Sequence, residues 1–345
     1  MYLTNLSQLL VRNDDLLMAK SPLLINMPND ELAQYMQRLN TEIQLTFYDT
    51  NFEQHNYHQQ ITDCNSIFAA QLQSEQKHDL VILSFPKSKN ELTFTLAMLA
   101  HCTTTTTKIL FVGENKSGIK SINKLITNQV SFCEKIDAAR HCLLFEAQLN
   151  NHQNLFNIED WYSYYSVKLK NISYKVAALP GVFSQAKLDK GTEILLDNLP
   201  KTIEGKVLDF GCGAGVIATY IGLTNQNIEL HLADVSALAL ASSEKTLSLN
   251  NLSGKTFATN SLSHITEQYQ QVISNPPFHQ GIATHYAATE TFLDGIKKHL
   301  NKQGILTIVA NSFLKYQPII ERSIGKTVKL CVKNGFTIYQ TRISK

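Results

Sequence analysis

The sequence predicts an α/β protein with two tandem domains, each built on an open, mostly parallel sheet that ends in an antiparallel hairpin. The chain has 345 residues and a hydrophobic content of 43%, which is more than one core usually holds. Its second half contains short apolar runs that end in polar side chains, as parallel strands do at a ligand site. Its first half contains a similar series of runs. We therefore expect domains at residues 1–165 and 166–345.

An acidic, glycine-rich turn follows the first strand of the second sheet. Residues 206–210 are an apolar run that suits a buried parallel strand. Three glycines then permit a tight turn and a close approach of the backbone to a ligand: Gly211, Gly213 and Gly215. A dinucleotide fingerprint requires its third glycine one residue later, where Val216 stands. The spacing argues against NAD and favours a ligand with an amino acid moiety, whose ammonium group Asp209 can balance directly or through water.

Two further strand ends carry polar side chains. Residues 228–234 indicate a strand that ends at Asp234, whose carboxylate oxygens can accept both hydroxyl hydrogens of a ribose. Residues 254–260 indicate a third strand, which leaves Asn260 in a position to bind an adenine amine. A single acid at a strand end is more often a loop cap than a ligand contact. Three polar residues at successive strand ends favour a binding site, because open α/β sheets bind ligands at that edge.

The fourth strand, residues 271–274, is followed by Asn275-Pro276-Pro277-Phe278. The Asn275 side-chain oxygen and the Pro276 carbonyl can together accept the two hydrogens of an exocyclic amine. Phe278 can stack on the ring that bears the amine. An isolated motif of this kind is as often the end of a strand with a packed phenylalanine. Its position after the glycine turn and Asp234 favours the amine clamp.

The end of the chain predicts the rest of the sheet. Residues 288–300 are expected to form a helix, and residues 304–310 a fifth apolar strand. Two apolar segments then flank Asn334-Gly335, the dipeptide best suited to a tight hairpin. The sheet is therefore expected to end in an antiparallel hairpin.

Residues 180–345 resemble the class I S-adenosylmethionine-dependent methyltransferases of the Asn-Pro-Pro-Phe/Tyr type, which methylate amino groups of bases or of glutamine side chains. The whole chain is more similar to the small-subunit ribosomal RNA guanine-N2 methyltransferases. The motifs that carry this similarity are residues 111–118, 179–184, 208–215, 275–279 and 309–314. The resemblance implies two Rossmann-like domains with seven-stranded sheets, and S-adenosylmethionine as the methyl donor. It implies as acceptor the N2 amine of a guanine in 16S rRNA, in free RNA or in the assembled small subunit.

The motifs and the resemblance together define a set of candidate site residues. The catalytic residues are Asn275, Pro276 and Phe278, the donor-binding residues are Asp209, Gly211, Gly213, Gly215, Asp234 and Asn260, and the substrate contacts are Pro277 and Phe183. In related enzymes the loop of Phe183 covers the donor or the base, and core packing is its alternative role. Direct displacement at the donor methyl by guanine N2 needs no covalent nucleophile, so Cys212 is expected to be a small turn residue. His279 stays outside the catalytic set, because water can take the proton.

The first half repeats the strands without their chemistry. Its apolar runs are residues 23–26, 47–49 and 80–87. No glycine follows the first run, Ile25 stands where Asp209 does, and Ser84-Phe85-Pro86-Lys87 replaces the clamp. We expect a degenerate domain that binds no donor, and the resemblance implies that it assists substrate recognition or the folding of its partner domain. Its candidate RNA contacts are Lys87, Lys89 and Lys116.

Composition argues against several other classes of protein. The six cysteines include no Cys-x-x-Cys pair, so neither a zinc site nor a disulfide framework is indicated. Residues 1–20 lack the continuous apolar core of a signal peptide, and no later segment is apolar enough to cross a bilayer. The net charge of +2 is modest for a nucleic-acid partner, so local lysine clusters would have to contact RNA. We expect a cytoplasmic monomer that binds no metal.

Three alternatives remain open from the sequence. A protein glutamine methyltransferase has a similar clamp, usually with Tyr in place of Phe278, and a small helical front domain. A DNA adenine methyltransferase shares the clamp but normally carries a target-recognition segment, which the sequence does not reveal. A non-enzymatic RNA-binding or ribosome-assembly factor would keep the donor pocket only as a scaffold. A helical first half would favour the glutamine enzyme, and absence of donor binding would favour the assembly factor.

Overall fold

The computed structural model describes the backbone of residues 1–150, 156–276 and 282–343, and all of their side chains except those of residues 282–288. The chain divides into two compact units, Met1–Trp161 and Tyr162–Lys345. The division of roles between the two domains stays a prediction.

The first unit is an α/β domain rather than a helical one. Its strands are β1 (Pro22–Ile25), β2 (Leu45–Asp49), β3 (Cys64–Phe68), β4 (Leu80–Ser84), β5 (Lys108–Glu114), β6 (Val130–Ala139) and β7 (Cys142–Leu149). Its helices are α1 (Asn5–Val11), α2 (Leu32–Leu39), α3 (Phe52–His58), α4 (Lys89–Leu99) and α5 (Ile122–Leu125). The strands form one sheet in the order β3-β2-β1-β4-β5-β7-β6, with β7 antiparallel to both of its neighbours.

The second unit begins with a two-stranded ribbon and continues into a second α/β domain. Its strands are β8 (Ser163–Leu169), β9 (Ile172–Ala178), β10 (Gly205–Phe210), β11 (Ile228–Asp234), β12 (Lys255–Ala258), β13 (Tyr269–Ser274), β14 (Leu300–Asn311), β15 (Thr327–Lys333) and β16 (Phe336–Arg342). Its helices are α6 (Lys190–Asp197), α7 (Val216–Thr224), α8 (Ala237–Leu249), α9 (Ile282–Gly295) and α10 (Tyr316–Ser323). The sheet order is β12-β11-β10-β13-β14-β16-β15, and β8 pairs only with β9.

The two seven-stranded sheets have the same strand order, which confirms the predicted fold class. In each, five strands run parallel and the last two form an antiparallel hairpin. The helix predicted at residues 288–300 is confirmed in part. Helix α9 begins six residues earlier, at Ile282, and ends at Gly295; a 3-10 turn follows at Ile296–His299, and residue 300 already belongs to β14. The prediction carried the helix through Gly295, where the α-helix ends, since glycine is a poor helix former.

The strand register shows which residues of the first unit stand at the positions of Asp209 and Asn275 in the second. Ile25 pairs with Leu83, the penultimate residue of β4, as Asp209 pairs with Ile273, the penultimate residue of β13. The first unit therefore has an apolar side chain where the second has a carboxylate. The residue after β4 is Phe85, which is buried, whereas Asn275 follows β13.

Helix α7, which begins at the glycine turn, is enclosed by the sheet and the ribbon. The side chains of residues 216–221 are all buried, which explains why this helix is apolar all round rather than on one face. The ribbon is fixed to helix α8 by side-chain hydrogen bonds, because Thr246 Oγ1 accepts from the Ala177 amide at 3.0 Å and Ser242 Oγ from the Leu179 amide at 3.0 Å.

No helix in the described part of the chain combines the length and hydrophobicity that crossing a membrane requires.

Candidate active site

The glycine turn adopts the left-handed conformations that its sequence predicts. Gly211, Gly213 and Gly215 have φ values of 72°, 52° and 74°. A Cβ atom added to Gly211 or Gly213 would meet nothing within 4 Å, so open space adjoins this part of the turn. A Cβ on Gly215 would lie 2.9 Å from Cβ and 3.0 Å from Cα of Ser243. Gly215 therefore serves a second purpose, the close packing of α7 against α8.

We expect Gly215→Ala to destabilise the second unit more than the left-handed backbone alone would. A left-handed alanine costs roughly 1–2 kcal/mol, and the added Cβ also forces the α8 backbone to move. Gly335→Ala is the matched control, because Gly335 has a φ of 80° and open space around it. Thermal unfolding should show a clearly lower midpoint for Gly215→Ala than for Gly335→Ala. Equal midpoints would contradict the packing argument.

Asp209 lies buried beneath the turn with only one of its two carboxylate oxygens partnered. Oδ2 accepts from the Ala218 amide at 3.0 Å, and among the described residues no group donates to Oδ1. Burial is the main cause that raises the pKa of Asp209 to about 7; the Ala218 amide opposes this change and the neighbouring Asp234 adds to it. An unpaired buried acceptor is costly unless a donor or cation supplies the missing interaction. The carboxyl is therefore suited to a ligand ammonium group.

Asp234 ties the end of β11 to the glycine turn. Its Oδ2 accepts from the Gly213 amide at 2.9 Å and its Oδ1 from the Ser236 amide at 3.0 Å. Burial raises its pKa, and these amide donors oppose the change. Each carboxylate oxygen can accept a further hydrogen bond, so the capacity to hold two hydroxyl groups remains.

Asn260 lies at the same sheet edge as Asp234. Ala258, the last residue of β12, pairs with Asp234, and the Thr259 amide donates to the Asp234 carbonyl at 3.0 Å. The polar residues predicted to bind the donor thus follow three adjacent strands, β10, β11 and β12.

Asn275 follows β13 on the other side of β10 and is held by two residues that the sequence did not identify. Its Nδ2 donates to Asp189 Oδ2 at 3.1 Å and to Thr192 Oγ1 at 2.8 Å. Asp189 is also the N-cap of α6 and accepts from the Thr192 amide. The Asp-x-x-Thr spacing before an apolar helix indicates the cap, but nothing local links it to Asn275. Pro276 is buried, whereas Pro277, Phe278 and His279 lie outside the described residues.

In the described part of this unit, two phenylalanines are exposed. The Phe183 side chain is 51% exposed, which excludes core packing as its role. Phe313 follows β14, the strand next to β13, and is 69% exposed. Phe313 belongs to a motif that carried the family resemblance but was not among the predicted site residues. An exposed aromatic side chain is available to stack on an unpaired base.

One further cluster of titratable groups lies away from this edge. Ligand atoms of Glu229, His231 and Glu267 lie within 4.8 Å of one another. Lysines already neutralise the carboxylates, since Lys206 contacts both of them and Lys255 Nζ lies 2.9 Å from Glu267 Oε1. These lysines hold the pKa of Glu267 down at about 2. The cluster is therefore an ion-pair network rather than a suitable cation site.

The fold and the site agree with the family comparisons. The second unit matches the methyltransferase small domain over residues 173–340, and the first matches the methyltransferase small domain N-terminal family over residues 7–165. A glycine turn with strand-end carboxylates on a sheet of this order is typical of the class I methyltransferases. The chain is therefore a class I S-adenosylmethionine-dependent methyltransferase.

Relatives extend the match over the whole chain. Ribosomal RNA small subunit methyltransferase C of Colwellia psychrerythraea is 50% identical over 353 residues, covering 100% of this chain and 99% of the relative. The protein of the same name from Pseudoalteromonas translucida is 41% identical, covering 98% of this chain and 99% of the relative. The chain belongs to the ribosomal RNA small subunit methyltransferase C family.

A solved structure agrees with the fold of the full chain. It is that of the T. thermophilus 16S rRNA N2 G1207 methyltransferase in complex with AdoMet and guanosine. The match has a TM-score of 0.82 and covers 96% of this chain and 91% of the other at 19% sequence identity. Both domains therefore share the architecture of that enzyme.

Proposed function

We propose that this enzyme transfers a methyl group from S-adenosylmethionine to the exocyclic N2 amine of a guanine in 16S rRNA. The observation that carries the proposal is Asn275, whose Nδ2 is bonded within the protein and whose oxygen remains as an acceptor at the end of β13, the strand next to β10. A reacting amine requires hydrogen-bond acceptors for its two hydrogens. The names of the relatives supply the small-subunit rRNA, and the T. thermophilus enzyme supplies the guanine N2 position.

The donor-binding residues fit the parts of S-adenosylmethionine. The unpartnered Asp209 Oδ1 would balance the charge of the ammonium group. The remaining acceptor sites of Asp234 would accept hydrogen bonds from the ribose hydroxyls, and Asn260 would bind the adenine amine. Gly211 and Gly213 leave open space where the donor would approach the backbone, and Gly215 completes the turn. When bound, S-adenosylmethionine supplies an electrophilic methyl group on its sulfonium centre.

Donor affinity is expected to fall as the pH is lowered from about 7.5 to about 5.5. The pKa of Asp209 in the free protein is about 7, so its carboxyl becomes neutral over this range and can no longer balance an ammonium group. Calorimetric titration of S-adenosylmethionine at several pH values measures the effect. Asp209→Asn should bind more weakly with a much flatter profile. An identical profile in that variant would remove Asp209 from the account.

Guanine N2 is a poor nucleophile, because its lone pair is conjugated into the ring. The residues around the target base would therefore have to activate it. Asn275 Oδ1 and the Pro276 carbonyl would accept the two N2 hydrogens, which favours tetrahedral geometry and stabilises the positive charge that develops on nitrogen. Phe278 would stack on the base beside Pro277, and the exposed Phe183 would cover the site. Positioning supplies the remainder of the rate enhancement, and water accepts the proton.

The first unit is proposed to support the reaction without binding the donor. Ile25 and the buried Phe85 stand at the positions of Asp209 and Asn275, so the charged and amine-accepting groups are replaced. We infer a role for residues 1–165 in recognising the RNA or in helping residues 166–345 to fold. Such a substrate implies a cytoplasmic enzyme, and we propose that it acts as a monomer without a metal.

The structure bears on the alternatives. A first unit with a seven-stranded sheet disfavours the glutamine methyltransferase, for which a helical front domain is usual. The decisive test is a nucleoside analysis of small-subunit RNA from cells that lack the gene. One N2-methylguanosine should disappear and return with the wild-type gene but not with Asn275→Ala. An unchanged N2-methylguanosine content after deletion would refute the proposal.

A further inference from the structure

Both amide hydrogens of Asn275 are already committed within the protein. One is donated to Asp189 Oδ2 at 3.1 Å and the other to Thr192 Oγ1 at 2.8 Å. An amide nitrogen has two donors and no acceptor, so its hydrogen-bonding capacity is exhausted. Only Oδ1 remains for a substrate.

The orientation of this amide follows from the chemistry of its partner. A carboxylate oxygen can only accept, so rotating the amide by half a turn would place two oxygens face to face at about the distance that Nδ2 and Oδ2 now span. Asp189 itself is fixed, because the same Oδ2 accepts from the Thr192 amide at 2.9 Å at the start of α6. The amide therefore has one stable orientation.

We propose that Asp189, assisted by Thr192, is a positioning residue that holds Asn275 with its oxygen towards the target amine. This inference rests on the proposed function, because it gives Asn275 Oδ1 the role of acceptor. The negative charge of Asp189 also polarises the amide and strengthens Oδ1 as an acceptor. Gly191 makes room for the arrangement, because a Cβ there would lie 3.1 Å from Asp189 Oδ2 and 3.0 Å from the Phe336 ring.

The kinetic test separates positioning from helix capping. Asp189→Ser keeps an N-cap for α6 but has no carboxylate that reaches Asn275. Its kcat should fall about 10- to 100-fold, while the dissociation constant for S-adenosylmethionine changes less than about twofold. Asp189→Asn keeps an acceptor oxygen and should restore part of the loss. A kcat for Asp189→Ser within about twofold of wild type would overturn the proposal, since capping alone would then explain Asp189.

A control variant calibrates the effect of a lost cap. Asn51 caps α3 in the first unit by accepting from the Glu53 amide at 2.9 Å. Asn51→Ala should lower the thermal unfolding midpoint as the loss of a helix cap does, and leave kcat unchanged. A kcat loss in this control as large as in Asp189→Ser would attribute the effect to stability and contradict positioning.

A second measurement does not depend on methyl transfer. In wild-type protein with nitrogen-labelled asparagine, the Asn275 side-chain amide signals should show slow hydrogen exchange, and Asp189→Ser should abolish that protection. Rapid exchange of the wild-type amide would overturn the proposal. Absence of methyl transfer by the wild type would instead refute the proposed function and leave this result standing.

Discussion

Asn275→Ala is expected to reduce the rate of methyl transfer about 100- to 1,000-fold, the effect of removing one group that stabilises charge in a transition state. S-adenosylmethionine should bind with unchanged affinity, because Asn275 contacts the first turn of α6 rather than the glycine turn. Single-turnover rates with small ribosomal subunits, together with calorimetric donor titrations, separate the two effects.

The matched control is another asparagine of the same unit. Asn198, at the end of α6, donates to the Ile194 carbonyl at 2.8 Å and has no predicted part in catalysis. Asn198→Ala should therefore reduce stability slightly and leave the transfer rate intact. Full activity of Asn275→Ala would eliminate the amine clamp as the basis of catalysis.

Asp234→Ala is expected to weaken S-adenosylmethionine binding at least about 100-fold. The substitution removes the two proposed ribose acceptors, each worth about 1.5–3 kcal/mol as a charged hydrogen bond. It also releases the Gly213 amide, so the glycine turn loses one of its hydrogen bonds to β11. The measurement is the calorimetric dissociation constant of the donor and of its demethylated product.

Asp197→Ala serves as the control for this loss of charge, because Asp197 is an exposed acid at the end of α6. It should bind the donor like the wild type. A dissociation constant for Asp234→Ala within about threefold of wild type would show that the ribose lies elsewhere.

The sheet and its ligand edge were predictable because each strand carries its own local signal. Residues 228–234 include four apolar residues and end at Asp234, and Asn334-Gly335 marks the hairpin. Because parallel strands end at one edge, Asp209 and Asp234 were expected to be neighbours before any distance was known. The glycine turn was predicted from the spacing of its glycines alone, without any tertiary contact.

The parts that escaped prediction depend on contacts between distant segments. Asn275 and Asp189 are 86 residues apart, and only the packing of α6 against β14 and β16 brings them together. The contact of Gly215 with Ser243 likewise follows from how α7 lies against α8. The start of α9 was misplaced by six residues. Local patterns carry no information on such pairings.

The two units also show how fold and chemistry separate. They share one strand order. Only the second has a carboxylate, Asp209, in the strand that leads into the glycine turn, and the side-chain amide of Asn275 directly after β13. The alternation of apolar runs and helices specifies the sheet, whereas the residues at the strand ends specify the reaction. A duplicated sheet can therefore lose its site without losing its topology.

The most direct test of the central claim is methyl transfer by the purified protein. Radiolabelled S-adenosylmethionine would be incubated with small ribosomal subunits, and separately with their naked RNA, from a strain that lacks the gene. The RNA would then be digested to nucleosides. We predict label in N2-methylguanosine, with almost none when Asn275→Ala replaces the wild-type protein. Label in adenine or in protein, or no label in either substrate, would contradict the account.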